Sequence, residues 1–417
     1  MNIQTDPQPV MPDEACEEAI ARALMPGARL TAQLVQHSAR QRIDDFMALA
    51  TIVCAHPALA AHQAAWSHAV EVLDASGPER RESIGSSPLF RRWLHTTGRT
   101  LIEQGPGERL DECLIAVGNY TSGFAGECEP PTQLYARHGV IETWDCGQSV
   151  TFPAPVSTHG WFGVIKSGRV ELRGEEGQLL LPLDTGGGVL PKSGIVVRND
   201  LPGLRVALDE SRAPERGEAV RPHLVDMRPE AYPQGEFPLI AAGADAIRIA
   251  WPEAYADWQQ TLRVVVPRLA PAGWRMEGFS LSTMQGAIWV NPDDYLTVLE
   301  SLVHENSHVK LRYVEEAMPL LLPKQDEARF PVGWRSDPRP IVGIFEGVYV
   351  HIHCAMALTR CLECGVLAAS LCDRVATRIR QLQEQAKEGL ALLQRHARLT
   401  LHGHGFLDWA QAALDDL

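Results

Sequence analysis

Between Asp13 and Leu110 apolar residues recur three and four positions apart. The segments Glu14–Leu24, Ala32–Val53 and Ala60–Leu73 each predict an amphipathic helix. Glycines in Gly105–Gly107 and Gly118–Gly126 interrupt this pattern, and Pro130–Pro131 close it. From Thr132 to Leu208 the runs become short, alternating or β-branched. Phe162–Lys166, Ser167–Gly168 and Arg169–Arg173 read as a hairpin with a two-residue turn. Gly174–Gly177 predicts a second turn into Gln178–Leu183, and Gly186–Gly188 precedes a strand at Ile195–Arg198. Asp209 to Ala219 is polar and unpatterned, which predicts a linker. A third part begins near Met227, with a helix over Glu253–Val266 ended by Pro267 and strands at Trp274–Ser280 and Ala287–Val290. Asn291-Pro292-Asp293-Asp294 is a stop-and-start signal, with Asp293 or Asp294 as N-cap of a helix reaching about Met318. A proline-rich loop spans Pro323–Pro340, and two or three helices fill the rest. The pattern predicts an α+β chain, mainly α-helical, in three consecutive parts. These are a helical N-terminal domain over 1–131, a small antiparallel β-rich module over 132–220 and a second helical domain over 221–417.

Composition narrows the function classes. The chain has 417 residues, 45% apolar and 22% charged, with a formal net charge of −14. That is ordinary globular composition, and the negative balance argues against a bulk electrostatic grip on nucleic acid or an anionic membrane. The first twenty residues have no basic region followed by an apolar one, so no signal peptide is expected. Ile341–Leu358 is the most apolar later stretch. It carries Glu346, His351 and His353, costly in lipid, and is read as a buried helix with no membrane role. Nine scattered cysteines fit a reduced cytoplasm better than a disulfide framework.

The chemistry concentrates in Leu299–Leu311, LESLVHENSHVKL, which contains His304-Glu305-x-x-His308. Residues four apart lie on one helix face, so both imidazoles can address one metal ion, and imidazole suits zinc and iron alike. Glu305 holds the position of the general base that activates metal-bound water in zinc hydrolases. Two imidazoles leave a metal incompletely held. Glu346, 38 residues after His308 in IVGIFEGVYVHIHC, is the candidate third donor. With the two histidines it would give either the His₂Glu zinc set of metalloproteases or the two-histidine, one-carboxylate triad of non-haem iron oxygenases. His353 shares the face of Glu346, seven residues on, and His351 does not; both read as ordinary core or surface histidines. The intervening FPVGWRSDPRP places Arg335 and Arg339 near the metal-binding helices in sequence. Their guanidinium forks suit the carboxylate of a 2-oxo acid, and equally a pairing with Asp337 or Glu346.

LVHENSHVKL, the VGWRSDPRP loop and GIFEGVYV together resemble the HExxH-type peptide β-hydroxylases that depend on 2-oxoglutarate, over about Gly286 to Val350. The resemblance implies His304 and His308 as iron ligands and Arg335 and Arg339 as a 2-oxoglutarate carboxylate site. It implies Fe(II), 2-oxoglutarate and O₂ as the reacting set, and hydroxylation at Cβ of a residue in a ribosomally synthesised precursor peptide, the partner. The family commonly has histidine where this chain has Glu346. Lys310 also matches a family position. Glu305 would then hydrogen-bond around the ligands instead of acting as base.

Two rival readings stand beside it. One is a gluzincin-like zinc peptidase using His304, His308 and Glu346, with Glu305 as general base. The other is a non-catalytic scaffold whose β module adds a strand to a bound peptide. Cys361-Leu-Glu-Cys364 lies in an apolar helical stretch and lacks the second pair a zinc site wants. His402-Gly403-His404 reads as a turn, and Trp334 and Trp289 as possible walls of the site or core residues.

Overall fold

The computed structural model describes residues 13–124, 132–137, 139–152, 161–166, 168–175, 177–204, 237–268, 278–325, 327–335 and 337–417. The expected linker at Asp209–Ala219 and the domain start near Met227 lie outside them. In chain order the helices are α1 (Asp13–Leu24), α2 (Ala28–Ala55), α3 (Gln63–Ala75), α4 (Pro78–Gly85), α5 (Pro88–Glu103), α6 (Glu108–Ile115) and α7 (Val117–Thr121). Strands β1 (Thr132–Leu134), β2 (Val140–Glu142), β3 (Ser149–Thr151), β4 (Trp161–Lys166), β5 (Arg169–Gly174), β6 (Gly177–Pro182), β7 (Gly188–Val189) and β8 (Val196–Val197) follow. Then come α8 (Pro238–Ala250), α9 (Pro252–Thr261), β9 (Val264–Pro267), β10 (Gly278–Ser280), β11 (Ala287–Val290), α10 (Tyr295–Ala317), β12 (Arg329–Phe330) and β13 (Arg339–Pro340). Helices α11 (Ile341–Glu363), α12 (Cys372–His396) and α13 (Leu401–Asp415) end the chain. The fold is mostly helical with small sheets.

The hairpin read from Phe162 to Arg173 is present. Lys166 pairs with Arg169, so a two-residue connection closed by Gly168 at φ +74° joins β4 to β5. A second two-residue connection takes β5 to β6, with Gly174 opposite Gly177. These strands and β1 form one antiparallel sheet in the order β1-β4-β5-β6, over a core of Leu134, Ile141, Trp161, Val170 and Leu172. The strand expected at Ile195–Arg198 does not stay with the hairpins. Val196 and Val197 join a separate five-stranded sheet, β10-β11-β9-β8-β7, in which β9 runs parallel to both β8 and β11.

The helix expected over Glu253–Val266 stops at Thr261. Val264, Val265 and Val266 are three consecutive β-branched residues, all buried, and they form the middle strand of that sheet. Valine loses side-chain freedom in a helix and packs well on a pleated surface, which overrides the continuous apolar pattern.

The chain divides into two compact units, each assembled from separated stretches. The first comprises the chain up to Thr31, Ile247–Asp257 and Lys310–Leu417; the second comprises Ala32–Ala246 and Trp258–Val309. This grouping cuts across the three consecutive parts that the residue pattern suggests. In the second unit Phe46 and Trp93 each contact the rings of Trp66 and Phe90, and one another, at 5.5–6.2 Å, and all four share a core with Val264, Val266 and Trp289. In the first, α11 packs on α12 and α13, with Phe345 stacked on Phe406 at 3.9 Å. Helix α11 has the length and hydropathy of a membrane span, but its residues are mostly buried in the protein.

Candidate metal centre on helix α10

Helix α10 starts where the acidic signal predicts. Asp294 Oδ2 accepts from the Thr297 amide at 3.1 Å and from its hydroxyl at 3.2 Å, capping the first turn. The helix ends at Ala317, two residues before Pro319. Over Ser301–Val314 every residue is buried except His304, His308 and Arg312. These are spaced by four, so the one open stripe of this helix is formed by the two histidines and an arginine. The two imidazole rings meet edge-on with centroids 5.0 Å apart. Arg312 is the residue that motif reading passes over; its signal was the continuation of the four-residue spacing past His308.

Glu305 is 4% exposed. Its Oε1 lies 4.0 Å from His304 Nε2. The space for its side chain comes from Gly278 on edge strand β10: a Cβ there would stand 3.1 Å from Glu305 Cγ and 2.8 Å from the Trp289 carbonyl. Trp289 itself is core, stacked on Phe279 at 4.7 Å with its indole N–H donating to the Leu204 carbonyl at 3.2 Å. Asn306, inside the motif, accepts from the Thr261 hydroxyl at 2.6 Å.

The remaining sequence candidates belong to the first unit. Glu346 lies on α11, half-buried, where Glu315 of α10 is among its charged neighbours. Burial first, and Glu346 second, push the Glu315 carboxyl up to about 7 against the pull of Arg312. Arg335 and Arg339 both address Asp337, at 3.9 and 3.4 Å, and hold its carboxyl low against the opposing effect of burial. The loop carrying them is seated on α11 through glycine. Gly343 lets Arg339 approach the helix, and Trp334 lies over Gly347 at ordinary contact distance. Trp334 meets His351 edge-on at 5.1 Å.

Lys310, two residues past His308, has a structural task. Its ammonium donates to Asp257 Oδ2 and, at 2.7 Å, to the Met25 carbonyl. Asp257 Oδ1 accepts from the Gly27 amide and the Thr31 hydroxyl, each at 2.9 Å. The buried ion pair thus fixes the connection between α1 and α2. His353 is buried between Trp251, Tyr349 and Trp409, its ring nitrogens 3.0 Å from the Tyr349 carbonyl and 3.1 Å from the Leu24 carbonyl. A neutral ring donates to only one of these. Burial, reinforced by Lys310, pulls its pKa down to about 3. His402 and His404 sit in the first turn of α13, not in a free turn. Thr400 caps that helix through the Gly403 amide at 3.1 Å. Cys361 is buried with its thiol pushed up to about 12, and Cys364 is exposed.

His304 and His308 fit two adjacent positions on a zinc or iron ion by donor type and spacing. Among the described residues no group of three or more histidine, cysteine, aspartate or glutamate side chains is arranged to hold a metal. The α10 pair offers two candidate donors. No family model matches this chain, and no curated protein matches it.

Proposed function

We propose that the chain is an Fe(II)- and 2-oxoglutarate-dependent oxygenase that hydroxylates Cβ of a residue in a ribosomally made peptide. The observation that carries the metal half of this reading is the open stripe on α10. A helix otherwise buried over fourteen residues leaves only His304, His308 and Arg312 reachable. The co-substrate and the peptide rest on the sequence resemblance. When bound, iron with 2-oxoglutarate supplies the activation of O₂. His304 and His308 would hold the ion, and Glu305, packed against Gly278 with its carboxylate 4.0 Å from His304 Nε2, would place negative charge beside that side of the site. On the resemblance, Arg335 and Arg339 would take the co-substrate's carboxylate, on release from Asp337.

The test is optical. Metal-free protein is loaded with Fe(II) without oxygen and then given 2-oxoglutarate. A weak new visible charge-transfer band is expected, and it disappears in His304→Ala and His308→Ala. Absence of the band overturns the reading. Metal content of Glu346→Gln decides the third donor: reduced iron assigns it to Glu346, and unchanged iron removes that residue from the centre.

One observation favours the zinc peptidase as second reading. The buried Glu305 carboxylate stands 4.0 Å from His304 Nε2, close to where a base acting on metal-bound water would belong. Tight zinc, no band and peptide cleavage lost in Glu305→Gln would establish it.

A further inference from the structure

The second unit contains a cavity of about 110 Å³ remote in sequence from the α10 motif, framed by α5, α6, α7 and the segment after β1. Three arginines line it: Arg92, Arg109 and Arg137. The acidic residues are Glu112 and Glu142, which leaves one excess positive charge in a chain of net charge −14.

The wall is built and held. Glu142 is 1% exposed, and its carboxylate accepts from the Tyr120 hydroxyl at 2.7 Å and the Gly203 amide at 2.6 Å. Arg92 donates to the Gly203 carbonyl. Trp93 and Tyr120 stack at 5.3 Å, and the Trp93 indole donates to the Cys113 carbonyl at 2.8 Å. Asn119 fixes Tyr135 by bonding both to its carbonyl at 2.7 Å and from its amide at 2.9 Å. Glu142 is thus consumed by the wall, and Arg92 is anchored to it.

Arg109 and Arg137 are exposed and have no ion-pair partner among the described residues. Their backbones are nevertheless fixed. Arg109 stands in the first turn of α6, and Arg137 exchanges both backbone hydrogen bonds with Val140, at 2.9 and 3.0 Å. Both guanidinium groups act on Cys113, opposing the burial that raises its thiol. The thiol stays protonated at neutral pH, so beside the anchored Arg92 the cavity is lined by the cations of Arg109 and Arg137 and by no thiolate.

We propose that this cavity is a carboxylate-binding site in which Arg109 and Arg137 clamp the anion and the Trp93–Tyr120 stack supports its hydrocarbon stem. Guanidinium groups match a carboxylate through paired hydrogen bonds. A cavity of this size takes a side-chain-sized group, not a nucleotide. The carboxylate comes either from a short free acid or from an acidic side chain of a peptide. The assignment is independent of the α10 metal reading.

The experiment is calorimetric titration of the full chain, stripped of metal so that no acid chelates at α10. The probes are succinate, a capped alanine-based hexapeptide with one glutamate, and its glutamine counterpart. Binding of succinate alone identifies a small-acid site. Binding of the glutamate peptide and not its glutamine twin identifies a peptide anchor. Either outcome must weaken about tenfold or more in Arg109→Gln and in Arg137→Gln, the value of a charged hydrogen bond. It must persist in the His304→Ala, His308→Ala double variant. Wild-type protein gives a second readout, a tryptophan fluorescence change lost in Trp93→Phe. No binding by either acid at millimolar concentration, or binding undiminished in both arginine variants, overturns the assignment.

Discussion

The Lys310 ammonium sits in the interior because Asp257 and the Met25 carbonyl receive it. Replacing it by methionine keeps the stem and removes the charge, leaving the buried Asp257 without its ammonium partner while the Gly27 and Thr31 donors remain. Breaking one side of a buried pair costs roughly 3–5 kcal/mol. Lys310→Met is therefore expected to lower stability by that order in urea denaturation, and adding Asp257→Asn recovers part of it. His353 acts through pH. Its ring stays neutral in the fold down to about pH 3, whereas the unfolded chain titrates near 6.5. Above 6.5 both states are neutral and the residue contributes nothing to the pH dependence. Below it the unfolded state gains a proton that the folded state refuses. Stability then falls by about 1.4 kcal/mol per pH unit, or about 2 kcal/mol between pH 6.5 and 5. The ion pair partner Lys310 and the rings of Trp251, Tyr349 and Trp409 face this site. His353→Phe fills the same aromatic slot and should flatten that part of the profile; an unchanged slope would assign the acid sensitivity to other groups. The sequence showed that Lys310 and His353 were polar residues in apolar helices. It did not show their partners, because Asp257 and Leu24 lie 53 and 329 residues away.

At the level of elements, amphipathic helices and two-residue hairpins were legible because their signals are local. Asp294 capping α10 and the Lys166–Arg169 register needed only neighbouring residues. Strand β9 was not legible. Its apolar run continues a helical pattern, and only the parallel partners β8 and β11, themselves distant in sequence, make it a strand. Helix contacts hidden in the sequence are marked by glycine, and they separate into two kinds. A Cβ on Gly403 of α13 would stand 2.1 Å from the Leu320 carbonyl, a backbone atom that cannot rotate away. A Cβ on Gly347 of α11 would meet Trp334 at 3.5 Å, ordinary contact. Gly403→Ala is expected to cost about 1–3 kcal/mol through displaced backbone. Gly347→Ala should be neutral or stabilising by up to about 1 kcal/mol, because alanine favours helix more than glycine. Thermal melts of the two variants side by side check the contrast, and equal losses would mean that the α13 contact is not close.

On the scale of the whole molecule, hydrophobic periodicity could not show that Ile247–Asp257 joins Lys310–Leu417 in one unit while the histidines of α10 belong to the other. Period is a property of a dozen residues; membership in a unit is decided by which faces finally bury each other. The same partition gives a test of the metal reading that needs no substrate. An ion that binds only the folded state stabilises it by about 2.7 kcal/mol at a hundred times its dissociation constant. Spread over the unfolding entropy of a chain or unit this size, that raises the melting temperature by about 3–5 °C. Anaerobic Fe(II) should therefore shift the calorimetric transition upward by that amount, and the His304→Ala, His308→Ala double variant should abolish the shift. If melting resolves into two transitions, a two-donor site confined to α10's histidines moves only the one belonging to the unit of Ala32–Ala246 and Trp258–Val309. Movement of both would mean that the ion recruits a donor from each unit, and loss of the second shift in Glu346→Gln would name it. No shift in either transition would leave α10 without a metal, and Glu305, His304 and His308 would then be a polar helix face with no catalytic role.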